Sequence, residues 1–256
     1  MATAAAGEEL AVTAELSQLR HWEQEQDTLK KRMVERDQHN EWTLESLKRV
    51  GGVDISFIKG DNINACATLV VLSYPDLQVL HEESMMVQLT APYIPGFLAF
   101  REVDHLVTLV RRLEASRPDL MPQLIMVDGN GKLHYRGFGL ACHLGVLLDL
   151  PTVGIGKNIL VVDNLDKESF HAKERAELQH RGDWIPVVGA SQTVWGAAVR
   201  CVEAAINPVY VSVGHRVSLD TAIKLALATA KHKIPEAVRM ADQLSRLFLR
   251  KRAGTQ

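Results

Sequence analysis

A chain of 256 residues, 46% of them apolar, is long enough to bury one sizeable α/β core, and its 23% charged fraction excludes a disordered polyelectrolyte. The net charge of −2 hides an asymmetry: His215 to Gln256 holds nine Lys or Arg against three Asp or Glu, with Arg246, Arg250, Lys251 and Arg252 near the end. That run reads either as a solvated helix face or as a footprint for phosphates. The three cysteines, Cys66, Cys142 and Cys201, are odd in number, far apart and set in apolar surroundings, which excludes a disulfide framework and a cysteine zinc site.

In chain order, residues 8–36 are rich in Glu, Gln, Leu, Lys and Arg and read as a helix, its start lying in a stretch, 1–12, expected to lack order. Strands are predicted over 50–58, 65–73 and 77–88. Lys59-Gly60-Asp61-Asn62 and Tyr74-Pro75-Asp76 separate them with turn chemistry, so successive antiparallel pairs are expected. A proline-bounded loop, 91–96, leads into a helix over 97–116 whose Val103, Leu106, Val107, Val110 and Leu113 form one apolar stripe. An apolar strand, 124–128, a helix, 138–148, and a strand, 152–155, follow. Segments 184–188, 194–199 and 209–213 are extended, and helices over 218–230 and 235–250 close a single domain, 13–250, ahead of a basic tail, 251–256. A three-strand meander followed by alternating helices and strands predicts a mixed α/β sheet flanked by helices, in the ribonuclease-H-like order. A doubly wound nucleotide-binding fold would need parallel crossovers from the start, which such short separators forbid.

Asp54 lies inside the first strand, in Gly51-Gly-Val-Asp-Ile-Ser-Phe57, on the face opposite Val53 and Ile55. A mid-strand carboxylate needs a partner, either local hydrogen bonds or a cation. Asp128 ends the fourth strand before Gly129-Asn130-Gly131, a turn signal, and at the strand end where α/β sheets place ligands. If those strands are neighbours the two aspartates converge, and oxygen-only ligation favours Mg²⁺ or Mn²⁺ over zinc. Glu102, in the first turn of its helix, serves either the helix dipole or a third ligand position. Asp242, on the last helix, is either a fourth carboxylate of that site or a surface residue, and the surface is the stronger expectation. Lys157 follows a buried strand through glycines and is placed to oppose charge on a phosphate; His215 ends another strand and is either structural or chemical. Gly154-Ile-Gly-Lys157 lacks the first glycine and the hydroxyl of a phosphate loop, and Asp128-Gly-Asn-Gly131 is broken as a calcium loop by Lys132 and Leu133.

Taken together, Gly51–Phe57, Pro92-Tyr-Ile-Pro-Gly-Phe-Leu-Ala-Phe-Arg-Glu102, Val127-Asp-Gly-Asn-Gly131, His134-Tyr-Arg-Gly-Phe-Gly139 with His143-Leu-Gly145, Val153-Gly-Ile-Gly-Lys157 and Val209-Tyr-Val-Ser-Val-Gly-His-Arg216 resemble the endonuclease V family. The segments keep their order over residues 48–245 and are most like the animal members. The resemblance implies a ribonuclease-H-like fold, a Mg²⁺ cofactor that Mn²⁺ can replace, and cleavage at the second phosphodiester bond 3′ to inosine, leaving 3′-hydroxyl and 5′-phosphate ends. It assigns metal binding to Asp54, Asp128 and Glu102, an active-site lysine to Lys157, a histidine near the metal to His215, and a further acid to Asp242. Tyr93 matches a wedge residue, presented rigidly by Pro92 and Pro95 in a substrate-binding loop that includes Ile94, and Gly129, Gly137 and Gly139 are expected to let backbone line a base pocket. Tyr135 and Val213 stand where bacterial members usually have proline. The expected substrate is inosine-containing RNA, then single-stranded deoxyinosine DNA, cut by an intracellular monomer, cytoplasmic or nuclear (nucleolar), that does not enter membranes. The competing readings are a structure-specific nuclease of the same fold and a non-catalytic reader of inosine-containing RNA.

Overall fold

A computed structural model describes residues 2–38 and 42–253 of the chain, with side chains from residue 16 to 252. Three strands, β1 (Arg49–Phe57), β2 (Asn64–Ser73) and β3 (Val79–Gln88), form the antiparallel meander that the two short turns require. Next to β1, in parallel, runs β4 (Leu124–Asp128), and β5 (Thr152–Gly156) lies parallel to β4. The remaining three, β6 (Trp184–Val188), β7 (Val194–Val199) and β8 (Val209–His215), are antiparallel, giving one eight-stranded sheet in the order β3-β2-β1-β4-β5-β8-β7-β6.

Helices cover both faces. On one lie α2 (Ala99–Ser116) and α3 (Leu140–Leu148), where Leu106, Leu109 and Leu113 meet Val53, Leu69 and Val127 in a single buried cluster. Each such fully buried side chain contributes roughly 1.5–3 kcal/mol. The other face carries α5 (Leu219–Ala228) and α6 (Glu236–Ala253), packed on Val50, Met126 and Ile155. Gly52 lets α6 lie this close: a Cβ there would fall 2.0 Å from the Ala237 carbonyl oxygen. The first helix, α1 (Ala2–Lys30), buries Trp22, Gln26 and Leu29, spaced four and three residues apart on one side, against the α2–α3 layer. Among the described residues no helix is long and apolar enough to cross a membrane.

Several boundaries differ from the sequence reading. The first helix ends at Lys30, six residues before the expected Arg36, because Arg32 and Met33 close turns onto Leu29 and Lys30. A helix that the sequence reading passed over, α4 (Lys167–Glu177), is capped by Asp166, whose carboxylate accepts from the Glu168 and Ser169 amides. Its signal was there: an Asp followed by a run without Gly or Pro. The Asn130-Gly131 turn makes no hairpin. Instead Gly131 N donates to Ser212 Oγ and Lys132 N to Val213 O, threading the chain over β8 toward α3.

Candidate active site

The β1–β4 register brings the first two acids together. Val53 pairs with Val127 in parallel, so Asp54 and Asp128 come next on adjacent strands, both facing α6. From α6, Asp242 joins them, and ligand oxygens of the three lie within 4.8 Å of one another. Asp54 is buried and accepts from Ser56 Oγ at 2.9 Å and Ser245 Oγ at 2.7 Å. Lys157, just past β5 and on the same face, donates to Asp128 at 2.5 Å and to Asp242 at 3.1 Å. Arg246 adds a second cation to Asp242 at 2.9 Å.

The electrostatics are those of acids waiting for a cation. Burial pushes the Asp54 carboxyl up to about 7, opposed by the Ser245 hydroxyl and reinforced by the neighbouring Asp128 charge. Glu102, buried on α2, is pushed up to about 8 by burial and by Asp54, with Arg101 pulling the other way. For Lys157, burial of the ammonium works downward, yet its two carboxylate partners hold it above its ordinary value. Three convergent carboxylates supply hard oxygen donors only, the donor set suited to a divalent ion such as Mg²⁺ or Mn²⁺.

The expected residues thus divide. Asp54, Asp128 and Lys157 come together. Glu102 stands beside the trio, close enough to feel its charge, and does not belong to it. Asp242, expected at the surface, takes the third position. His215 is not at the site. Its strand runs antiparallel to β5, with His215 opposite Thr152 while Asp128 aligns with Ile155. It therefore occupies the other end of the sheet, where Nδ1 accepts from Val34 N at 3.2 Å and Nε2 lies 3.5 Å from Asp149.

A recess of about 130 Å³ opens beside Asp128 and Glu102, lined also by Gly129, Asn130, His134 and Gly139. Gly137 is elsewhere: a Cβ there would meet Lys30 Nζ at 2.9 Å, and its positive φ serves the turn closed by Gly137 N on His134 O. His134 is a residue that the sequence reading left without a role. Burial, with Arg136 and Lys30 nearby, lowers its imidazole to about 4, so it is neutral near pH 7. Nδ1 accepts from Arg136 N, which leaves the proton on Nε2.

Past the recess, the 91–96 loop holds Tyr93 65% exposed, which rules out core packing for this ring. The loop is tied at its end by Gln26, whose amide donates to Gly96 O and Phe138 O. Pro92 and Tyr93 border a larger cavity, about 690 Å³, and Phe57 stands between it and a groove of about 710 Å³ that carries Lys59, Arg246, Arg250 and Arg252.

A ribonuclease-H-like sheet with an oxygen-only acid cluster at the end of its central strands is an arrangement compatible with a metal-dependent nuclease. A sequence model of endonuclease V matches residues 27–243, and the chain belongs to the endonuclease V family. Endonuclease V of Homo sapiens is 52% identical over 236 residues, covering 91% of this chain and 84% of the human protein. The crystal structure of the catalytic domain of human endonuclease V superposes with a TM-score of 0.91 at 51% identity, covering 94% of this chain and 99% of that one. A Ciona intestinalis endonuclease V, solved with a 24mer DNA containing an inosine followed by a ribo-adenosine, gives 0.86 at 33% identity, covering 92% and 99%.

Proposed function

We propose that this endonuclease cuts inosine-containing nucleic acid at the second phosphodiester bond 3′ to the inosine, leaving 3′-hydroxyl and 5′-phosphate ends. RNA is its preferred substrate, single-stranded deoxyinosine DNA the second, and Mg²⁺ its cofactor, with Mn²⁺ able to substitute. The observation that carries this reading is the convergence of Asp54, Asp128 and Asp242, with Lys157, beside a recess the size of one flat heterocycle. The Ciona relative's DNA, containing an inosine followed by a ribo-adenosine, supports an inosine-bearing substrate with a ribonucleotide next to the inosine.

Asp54, Asp128 and Asp242 would hold the divalent ion, which when bound neutralises phosphate charge and lowers the pKa of water. Ser56 and Ser245 fix the Asp54 carboxylate in one orientation, so its geometry is set before substrate arrives. Glu102, with no side-chain hydrogen bond among the described residues and a raised affinity for protons, is suited to hold a proton near the reacting phosphate. Lys157 supplies a fixed positive charge beside Asp128. In the recess, neutral His134 presents Nε2–H to a base carbonyl oxygen, while Gly129 and Gly139 keep the walls close. Hypoxanthine fits such walls, whereas the exocyclic amine of guanine needs extra room and an acceptor. Tyr93 replaces the stacking lost when the base swings out, and the Lys59–Arg246–Arg250 groove follows the phosphates.

Matched RNA and DNA oligomers carrying a single inosine or a guanosine, in Mg²⁺ and in chelator, test the assignment. The inosine RNA is expected to be cut fastest, the guanosine controls left intact, and chelator to stop all cutting. Asp54→Ala is expected to abolish cutting and keep most binding. Cutting by that variant at the wild-type rate, or equal cutting of guanosine oligomers, would overturn the reading.

A further inference from the structure

The larger cavity beside Glu102 contains a buried cation with open hydrogen-bonding capacity. Arg101 is 8% exposed and lines the cavity. One amino group, Nη2, donates to Asn62 O at 2.7 Å and Leu89 O at 3.4 Å. Among the described residues the buried Nε donates to nothing, Nη1 makes no hydrogen bond and the guanidinium makes no salt bridge. A buried guanidinium normally has an oxygen-rich partner, because desolvating its charge otherwise costs several kcal/mol.

The walls around Arg101 are apolar and open to solvent. Phe57, Ile63 and Tyr93 are 40%, 51% and 65% exposed, and Leu98 completes the side facing Glu102. A cavity near 690 Å³ has the size of a small-molecule site, and flat exposed rings around a planar cation suit a flat, oxygen-bearing ligand. Two further features identify it as nucleic acid. Leu98 and Glu102 border both this cavity and the small recess, so a base seated in the recess leaves the adjoining nucleotide at this entrance. On the far side, Phe57 also borders the basic groove, so positive charge leads up to the cavity mouth.

We propose that this cavity is a second base subsite, which takes the nucleobase directly adjoining the modified nucleotide. The base lies against Phe57 and Tyr93, and Arg101 Nη1 donates to an oxygen of that base or of its phosphate. The inference rests on the inosine reading above and deepens it: the enzyme grips two successive bases, one in each cavity.

Binding to fluorescent single-stranded oligomers in chelator tests this without cutting. Each oligomer carries one inosine or guanosine, and a base-free sugar replaces either the 5′ or the 3′ neighbour. Removing one of the two neighbouring bases is expected to weaken wild-type binding about tenfold, the effect of one lost base–aromatic stack. Phe57→Ala, at an exposed position that tolerates truncation, is expected to weaken binding of the intact oligomer by a similar factor and to leave the base-free oligomer unaffected. Arg101→Lys is expected to behave in the same direction, with thermal unfolding reporting whether it folds. Wild-type affinity indifferent to both neighbouring bases, or a Phe57→Ala loss equal on intact and base-free oligomers, would remove the subsite. Indifference to inosine against guanosine would instead remove the reading beneath it, so the two failures separate.

Discussion

At the scale of single residues, burial sets the protonation of the site. Asp54 and Glu102 are pushed up to about 7 and about 8, while His134 and His143 are pushed down to about 4, burial being the largest cause in each case. His143 is 1% exposed, its ring edge-on to Phe100 at 4.9 Å and near Phe138 at 5.7 Å, with Nδ1 lacking a partner among the described residues. Its folded value lies below the ordinary 6.5, so the unfolded chain takes up a proton that the folded one refuses. The stability from the neutral ring is complete above about pH 6.5 and is lost as pH falls toward 4. We expect His143→Phe to remove on the order of 2 kcal/mol of the stability lost between about pH 7.5 and 5. Urea unfolding at the two pH values measures it, and parallel losses in both proteins would contradict the assignment.

Among the elements, α1 holds the 91–96 loop in place. Trp22 stacks on Phe100 at 5.2 Å and Phe97 at 6.2 Å, and Gln26 ties Gly96 O to Phe138 O while accepting from Arg136 Nε. One helix thus joins the loop that presents Tyr93 to the start of α3 that frames the recess. Gln26→Ala would strand two carbonyls and a guanidinium nitrogen and is expected to cost about 1–3 kcal/mol of stability. It should also speed limited proteolysis within 91–96, since Gly96 loses its anchor. Unchanged cleavage there would mean that Gln26 does not hold the loop.

For the whole molecule, the acid cluster sets fold stability against readiness for a cation. Both carboxyls are raised from ordinary values of 3.8 and 4.5, so the metal-free protein is expected to lose stability as pH rises from about 4 toward 7 to 8, above which these two groups cause no further loss. A divalent ion at a hundred times its Kd should return about 2.7 kcal/mol, read as a rise in Tm. Asp54→Asn is expected to raise Tm in chelator, by removing one buried charge, and to lose most of the response to Mg²⁺. A wild-type Tm indifferent to both metal and chelator would place the ion elsewhere.

The two-residue alternation of β1 and the turn chemistry at 59–62 and 74–76 are local properties, and they carried the meander, the mixed sheet and the in-strand placement of Asp54. The motifs around Asp128 and Lys157 were readable for the same reason, as short apolar strands with glycines at their ends. Asp242 was readable only through the family resemblance, because one acid on an amphipathic helix looks like any solvated residue until α6 crosses β1 over Gly52. Nor did the sequence reveal which end of the sheet His215 occupies: a strand end looks the same from either direction, and only pairing shows β8 to be antiparallel to β5. Local periodicity determined most of the elements and most of the acids. Strand direction and helix crossing, set by contacts between residues far apart in the chain, decided which of those acids meet.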